Sequence, residues 1–377
     1  MSYPTVKLKD ISLIKTGKLD SNAAEENGIY PFFTCDPQTL RINTWAYDTK
    51  AVLLAGNNAS GNYTAKYYEG KFNAYQRTYI IESFDDSQLN IRYLCYAMNL
   101  QLQLLKTMSA GSTTKFLTIK MLHGLDIPFP CIEIQNRIAD ILSAYDDLIE
   151  NNQKQINLLE EAAQRLYKEW FVDLRFLGHE NTPIIDGVPQ GWSTGILDDI
   201  AYESGKNEKK ERRDNYNYYL PIDCLPKQSL GYTETADIGL AESSLVNFVK
   251  DDIIFGAMRP YFHKVVIARD SGLTRSTCFV LNSRQNEFWS YLAMLMFSKD
   301  TVDYATQISV GTTMPYARWK DLKQMPVIIP SKTVAEKFQS AVKPIIEKIG
   351  CLSKEIISLR QARDILLPKL MSGELEV

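Results

Sequence analysis

Two long stretches of the chain carry apolar residues at steps that alternate between four and three. The first stretch runs from Ile138 to Trp170, and the second runs from Phe338 to Leu370. Such steps average about 3.5 residues, the repeat of a coiled-coil seam. The pattern predicts two helices of about 35–38 residues, each roughly 55 Å long. The seam positions are Ile138, Leu142, Ile149, Asn152, Ile156, Leu159, Val342, Ile349, Leu352, Ile356 and Leu359.

The two seams are expected to cover each other, because an apolar stripe of this length is not stable in water. The stretches begin 200 residues apart, which leaves room for a globular unit between them. An antiparallel pair of helices, with one globular unit at each end, meets both conditions. Asn152 is a polar residue in the first seam. It either fixes the register of the pair at a cost in stability or is a tolerated residue beside a gap.

The sequence outside these stretches repeats at the same spacing of 200 residues. Internal repetition of this length indicates a duplicated structural unit. We therefore expect two related domains, each followed by its own long helix. The matching segments are Gly111-Ser112-Thr113-Thr114 with Gly311-Thr312-Thr313-Met314, Leu122, Leu125, Ile127 and Pro130 with Leu322, Met325, Val327 and Pro330, and 52–56 with 252–256.

Each repeat contains short β-rich segments and one amphipathic helix. Segments 51–55, 78–81, 252–255 and 278–281 are bounded by turn residues, as strands usually are. Stretches 89–108 and 287–306 have helical apolar spacing. The predicted fold is α+β, with two mixed α/β domains joined by two long antiparallel coiled-coil helices in a pseudo-twofold internal repeat. The expected boundaries are 1–130 for the first domain, 131–177 for the first helix, 178–330 for a linker and the second domain, and 331–377 for the second helix and a C-terminal tail.

Charge and composition constrain the partners and the compartment. The 377 residues carry a net charge of −3 at pH 7, but the acidic excess is concentrated between Glu133 and Asp173. The remaining sequence is slightly basic, and local charge decides whether phosphate is attracted. The six cysteines form no Cys-x-x-Cys pair, and no apolar run approaches the roughly 20 residues of a membrane span. With no signal peptide at the N-terminus, we expect a cytoplasmic protein.

The sequence contains no recognisable catalytic motif. It lacks the Gly-x-x-x-x-Gly-Lys-Ser/Thr phosphate loop, the Gly-x-Gly-x-x-Gly cofactor loop and the Asn/Asp-Pro-Pro-Tyr/Phe segment of amino-methyltransferases. The three histidines, His123, His179 and His263, do not have metal-ligand spacing. We therefore expect no catalytic residue, no metal site and no bound cofactor in this chain.

Several segments combine basic, amide and aromatic residues, as DNA-binding loops do. Asn and Gln can pair with adenine and Arg with guanine, whereas Ser, Thr and Lys near a glycine turn suit phosphate oxygens. Any one segment could be a solvated loop, but their recurrence in both repeats favours DNA binding. The candidates are Asn57, Asn58, Lys71, Tyr75, Gln76, Arg77, Thr113, Lys115, Lys206, Lys209, Lys210, Arg212, Arg213, Arg259, Tyr261, Lys264, Arg275 and Thr313.

The whole chain resembles the specificity (S) subunits of type I restriction–modification systems. Residues 127–139 are similar to the proline-rich segment that begins the family's first long helix. Residues 167–173 and 187–192 resemble the family's central conserved region, and residues 359–375 resemble its C-terminal end. Segment 330–336 departs from the pattern, because it lacks the Glu-x-x-Gln-like element of the first helix, and this leaves the local contact there open.

The resemblance implies that each domain is a target recognition domain that reads one half of a bipartite site in double-stranded DNA. It also implies that the helices set the length of the unread spacer and dock two methyltransferase (M) subunits, with restriction (R) subunits in the full complex. S-adenosylmethionine, ATP and Mg would belong to those partners. Two alternatives remain at this stage: a coiled-coil scaffold without DNA readout, and a self-contained methyltransferase, which the missing motifs disfavour.

Overall fold

The computed structural model describes residues 3–58, 63–108 and 115–377. By its internal contacts the chain divides into two units. Unit 1 contains the residues up to Asp147 together with Arg360–Val377, and unit 2 contains Leu148–Leu359. Two long helices, Ile132–Tyr167 and Lys332–Ser372, contribute a segment to each unit. The predicted domain boundaries differ from this division because the units share the long helices, and they stay a prediction.

Unit 1 is built around a six-stranded sheet with the strand order β2-β8-β5-β7-β3-β4. All neighbours are antiparallel except β3 and β7. The elements in chain order are β1 (Thr5–Lys7), α1 (Leu8–Ile11), β2 (Ser12–Thr16), β3 (Tyr30–Phe33), β4 (Leu40–Ile42), β5 (Tyr47–Ala55), β6 (Asn57–Asn58), β7 (Ala65–Ala74), β8 (Thr78–Ser83), α2 (Ile91–Met108), β9 (Lys115–Phe116), α3 (Ile119–His123), β10 (Asp126–Pro128) and α4 (Ile132–Tyr167).

Unit 2 has a four-stranded sheet, β14-β20-β17-β18, and a three-stranded sheet, β15-β16-β19. A π-helical turn, Lys168–Val172, continues α4. The elements that follow are β11 (Ile184–Ile185), β12 (Val188–Pro189), β13 (Ser193–Ile196), α5 (Leu197–Ile200), β14 (Ala201–Glu203), β15 (Asn207–Glu208), β16 (Leu245–Phe248), β17 (Ile253–Gly256), β18 (Val265–Ile267), β19 (Gly272–Arg275), β20 (Cys278–Ser283), α6 (Trp289–Met296), α7 (Lys299–Gln307), α8 (Trp319–Leu322), β21 (Pro326–Ile329) and α9 (Lys332–Ser372). The predicted α+β class, with two related β-rich units and two long helices, is confirmed.

The predicted single helix over 287–306 is wrong, because the structure has two helices there, α6 and α7. Ser298 separates them and acts as an N-cap, since its hydroxyl accepts from Thr301 N at 3.2 Å. The Thr301 hydroxyl in turn donates to Leu295 O at 2.7 Å and satisfies a carbonyl near the end of α6. Side-chain hydrogen bonds of this kind compete with a continuous helix.

The proposed match of residues 52–56 with 252–256 is also wrong by one residue. Val52 and Ile253 both pack in the core on the helix side of their sheets, whereas Leu53 and Ile254 face the opposite side. Since strand side chains alternate between faces, a shift of one residue would reverse them. The spacing is therefore 201 residues in this strand. Asp252 precedes β17 as a buried acceptor for Ser204 and Asn282, at 2.8 and 2.9 Å.

Within each unit, α4 and α9 run antiparallel. In unit 1 the Asp146 carboxylate accepts from Arg363 at 2.6 Å, and Arg137 donates to Val377 O at 3.1 Å. In unit 2 the rings of Trp170 and Phe338 lie 5.6 Å apart. All eleven seam residues named above are buried or half-buried.

A glutamine on each long helix hydrogen-bonds to the start of the globular unit's own helix. Gln135 is fully buried; it accepts from Asn90 N at 3.0 Å and donates to Gln88 O at 3.0 Å and to Pro130 O at 2.9 Å. In unit 2, Gln339 accepts from Ser290 N at 3.2 Å. The second glutamine lies one turn later in its helix than the first. The second long helix therefore has a glutamine contact of its own, although segment 330–336 lacks the Glu-x-x-Gln-like element of the first helix.

A buried tyrosine makes the second common contact of the two units. The Tyr93 hydroxyl donates to Pro128 O at 2.9 Å, and the Tyr291 hydroxyl donates to Ile328 O at 2.5 Å. In each case the carbonyl lies in the last strand before the long helix. Burial holds the pKa of both tyrosines well above the usual range, so both remain hydrogen-bond donors at any physiological pH. These contacts fix the globular part of each unit to the first turns of its long helix.

Asn152 is the polar residue buried in the α4 seam. It is only 4% exposed, and its amide nitrogen has no hydrogen-bond partner among the described residues. Within the residues that the structure describes, this nitrogen therefore makes no hydrogen bond that could fix the register of the two helices. In the second seam, the polar residue Arg363 is instead paired with Asp146.

We predict that Gln135→Met will lower the free energy of unfolding by about 2–4 kcal/mol. Methionine has a similar size but leaves two carbonyls and one N–H group without partners in a buried place. Urea unfolding followed by circular dichroism measures the change. Gln361→Met, at an exposed position of α9 in the same unit, is the control. Equal stability of the Gln135→Met protein and the unaltered protein would contradict the anchoring role.

Asn152→Leu should have the opposite effect and raise the free energy of unfolding by about 1 kcal/mol. Leucine has the same branched shape as asparagine and removes a buried amide nitrogen that lacks a partner. The same urea titration tests this change. A clear loss of stability in Asn152→Leu would show instead that the amide makes a contact that the helix pair requires.

Candidate nucleic-acid interface

In unit 1 the end of β5 is joined to β9 and to the turn between β7 and β8. Gly56 N donates to Arg77 O at 2.8 Å, and Leu117 N donates to Gly56 O at 2.8 Å. The short strand β6 pairs with β9, so that Asn57 lies opposite Phe116 and Asn58 opposite Lys115. The backbone therefore gathers four of the candidate residues, which are Asn57, Asn58, Arg77 and Lys115, with Gln76 next to them.

The side chains of this group differ in exposure. Gln76 and Arg77 are exposed, whereas Asn57 and Lys115 are half-buried. The Asn57 Oδ1 atom is buried and has no hydrogen-bond partner within the described ranges. An unsatisfied buried acceptor is uncommon in folded proteins and is often found at a binding site. Thr113 lies outside the described residues.

Two further candidates of unit 1 have contacts elsewhere in the sheet. Lys71 lies on β7 opposite Asp48, and its ammonium group is 4.6 Å from the centre of the Trp45 ring. Tyr75 is half-buried at the turn before β8, where its backbone N donates to Phe33 O at 2.9 Å. Tyr75 therefore adjoins the group around Arg77, whereas Lys71 lies beside Trp45 and opposite Asp48.

Unit 2 repeats the same backbone arrangement. Ala257 N donates to Thr277 O at 2.9 Å, and Ala317 N donates to Ala257 O at 2.9 Å. Met258 bridges to Tyr316, and Arg259 N donates to Pro315 O at 2.7 Å. Residue by residue, Asn57 and Asn58 of unit 1 correspond to Met258 and Arg259, and Lys115 corresponds to Pro315. The backbone is repeated, but the side chains are different.

Arg259 occupies an unusual backbone conformation in this arrangement. Its φ of 50° lies in the left-handed region, which costs free energy for any residue with a Cβ atom. The guanidinium donates to Thr313 O at 3.3 Å, while its Nε atom is buried without a partner in the described structure. Thr313 is exposed, and Tyr261 is 51% exposed in the turn that follows. The structure thus brings Arg259, Thr313 and Tyr261 together.

Three of the predicted cations already have partners within this unit. Lys210 pairs with Glu242 at 3.0 Å, and Arg213 donates to Gly239 O at 2.9 Å. Lys264 donates to Ile222 O at 2.7 Å. The exposed cations of the same sequence region are Lys206, Lys209, Arg212 and Arg275, of which Arg275 makes a 3.5 Å contact with the Ser243 hydroxyl.

A groove of about 450 Å³ lies beside the loop that carries Met258 and Arg259. Its walls include Glu203, Asn207, Ser276 and Tyr316, together with the candidate Lys206. Partial burial raises the pKa of the Glu203 carboxyl, although the side chain stays exposed at the mouth, and nearby Lys323 acts in the opposite direction. Lys206 is a predicted candidate, and Asn207 is its neighbour in sequence. No sequence pattern marks Glu203, Ser276 or Tyr316, because β14, β20 and the segment before α8 are far apart in sequence.

Metal and membrane sites are not part of this arrangement. No group of three His, Cys, Asp or Glu side chains could hold a metal ion in the residues that the structure describes. Within the same ranges, no helix combines the length and the apolar character of a membrane span. The described surface around Arg77 and Arg259 therefore offers amides, cations and hydroxyls without a metal centre.

Comparison with known proteins gives a consistent assignment. The family model "Type I restriction modification DNA specificity domain" matches residues 2–161 and 189–360, which cover most of both units. The EcoDI specificity subunit of Escherichia coli is 26% identical over 404 residues, covering 100% of this chain and 89% of that protein. The MjaIX specificity subunit of Methanocaldococcus jannaschii is 31% identical over 307 residues, covering 76% of this chain and 68% of that protein.

A solved structure shows the same fold. The S subunit of a type I restriction–modification system from M. genitalium superposes with a TM-score of 0.67 at 19% identity, covering 98% of this chain and 96% of that one. The family match occurs twice along the chain, as the internal repeat does. The chain therefore belongs to the type I restriction–modification DNA specificity family, as a non-catalytic subunit that recognises the target sequence within a type I restriction–modification complex.

Proposed function

We propose that each of the two recognition domains reads one half of a bipartite target in double-stranded DNA. The repeated backbone with different side chains is the observation that carries this proposal. Around Gly56 and around Ala257 the same hydrogen bonds hold the same loops. One copy carries Asn57 and Asn58, and the other carries Met258 and Arg259. Two copies of one scaffold with different residues in the same loop positions suit two different half-sites.

The chemistry of each loop group fits contacts in the major groove. Asparagine pairs with adenine and arginine with guanine through two hydrogen bonds, and each such pair contributes about 1–3 kcal/mol of discrimination. In the first domain these roles fall to Asn57, Asn58, Gln76 and Arg77. In the second domain they fall to Arg259 and Arg275. Exposed lysines such as Lys206 and Lys209 contact phosphates, which positions the domain without reading sequence.

The long helices act as the spacer between the half-sites and as the docking surface for partner subunits. A fixed separation between two groove contacts requires a rigid connection, because each contact must meet the groove at the right helical phase. Several acidic residues of α4, among them Asp140, Asp147, Glu150 and Glu161, remain exposed. Two methyltransferase (M) subunits dock on the long helices and their acidic faces. Restriction (R) subunits complete the assembly and supply the ATP-dependent chemistry.

Two acidic residues of α4 are not available to such partners. Asp146 is held by Arg363 and by the Tyr96 hydroxyl, at 2.6 and 2.5 Å. Glu160 is buried and accepts from the Ser229 hydroxyl and from Leu230 N, both at 2.7 Å. Burial raises the pKa of Glu160, and these hydrogen bonds oppose the shift. Both residues connect the long helix to its own unit and are unsuited to a partner interface.

Exchange of residues 184–330 for the matching segment of a different specificity subunit tests modular reading. The hybrid is combined with the methyltransferase subunit and a random DNA library, and the methylated adenines are sequenced. One half-site should change, while the other half-site and the spacer length stay as they were. The reciprocal exchange of residues 1–130 is the control and should change the other half. A hybrid that alters both halves, or neither, contradicts the proposal.

A further inference from the structure

The groove beside Arg259 has a chemical character that differs from the rest of the candidate interface. It has a volume of about 450 Å³, and its walls carry one acid, one amide and one ammonium group, from Glu203, Asn207 and Lys206. None of these three side chains makes a hydrogen bond or an ion pair with any described residue. All three side chains are exposed, so their polar atoms can contact a ligand that enters the groove.

The groove is continuous with the loops that read DNA in our proposal. Tyr316 forms one wall, and it bridges to Met258, the residue just before Arg259. The Tyr316 hydroxyl donates to Ser276 O at 3.0 Å, and its ring contacts Phe279 with the centroids 6.2 Å apart. Burial raises the pKa of Tyr316, and the Glu203 carboxylate, which lines the same groove, raises it further.

The acid decides which part of DNA the groove can accept. A carboxylate repels phosphate, so the Glu203 side chain itself is unsuited to a contact with the DNA backbone. Lys323 lowers the pKa of the Glu203 carboxyl, but the Lys323 ammonium group is paired with Asp198 at 3.0 Å. The Glu203 oxygens therefore remain free to accept hydrogen bonds from a ligand.

Among the bases, cytosine matches an acceptor of this kind. Its major-groove edge offers the exocyclic amine as a donor. Adenine also offers an amine, but this amine forms a donor and acceptor pair with N7, which a side-chain amide matches and a carboxylate does not. Guanine and thymine present acceptors to the major groove, and neither offers an amine there. The apolar ring of Phe279 and the ring of Tyr316 supply a wall for the carbon edge of the pyrimidine.

We propose that this groove of the second recognition domain takes up the major-groove edge of a cytosine, whose exocyclic amine donates to the Glu203 carboxylate. Glu203 is thus a specificity-determining residue, with Asn207 and Lys206 positioned towards the neighbouring bases and phosphates. The proposal rests on the proposed function, since it assigns one base of the half-site that the second domain reads.

The test compares Glu203→Gln with Glu234→Gln in the full chain bound to the methyltransferase subunit. Both changes remove one negative charge from an exposed glutamate of the same unit, and Glu234 does not line the groove. Sequencing of methylated DNA from a random library gives the preference at every position. Glu203→Gln should reduce discrimination about tenfold at one C·G pair of the second half-site. The base preferences at the first half-site should match those of the unaltered chain. The Glu234→Gln protein should keep the unaltered preferences at all positions.

A second measurement avoids any change to the protein. In duplexes that carry 2-pyrimidinone, which lacks the exocyclic amine, at that cytosine, the unaltered complex should bind about tenfold more weakly than to the normal site. The proposal is overturned by a second half-site without a C·G pair, by unchanged preferences in Glu203→Gln, or by uniform weakening at all positions. If the domain exchange moves the half-site while Glu203→Gln has no effect, only the assignment of Glu203 fails. If the domain exchange does not move one half-site, the proposal that each domain reads one half-site is contradicted as well.

Discussion

A recognition domain can measure a distance along DNA only if it is held rigidly on the helix that carries it. In this chain buried hydrogen bonds between side chains and backbone provide that rigidity. Gln135 satisfies three backbone groups just before α2 and α4 in the first unit, and Gln339 makes one such contact in the second. Buried tyrosines, Tyr93 and Tyr291, hold the last strand of each unit beside the long helix. Each contact is costly to break, because it would leave a buried polar group without a partner.

This rigid attachment leaves the exposed loops free to diverge. The hydrogen bonds around Gly56 and Ala257 are made by the backbone, so they do not depend on which side chains the loops carry. Asn58 can therefore correspond to Arg259 while these backbone hydrogen bonds are kept. A scaffold that is set by backbone bonds, with recognition set by side chains, explains how two halves of one protein can read different sequences.

Much of the architecture could be predicted from periodicity, but the site could be predicted only in part. The steps of four and three gave both long helices, and the spacing of 200 residues gave the duplication. The one-residue shift at Asp252 depends on which face of the sheet is buried, which the sequence spacing does not contain. The engagement of Lys264 with Ile222 O, and the placement of Glu203 beside Tyr316, depend on tertiary contacts between distant segments. Charge and residue type alone could not show which of these side chains are paired within the protein and which are free to bind DNA.

If the long helices set the separation of the half-sites, as proposed, removal of one heptad from each helix should shorten that separation. Deletion of residues 148–154 together with 354–360 keeps the repeat of the seam and shortens each helix by about 10 Å. Sequencing of the methylated sites should show both half-sites unchanged and a spacer shorter by up to about three base pairs, at 3.4 Å per base pair. A folded, active complex that retains the original spacer would show that the helices do not set the spacer length.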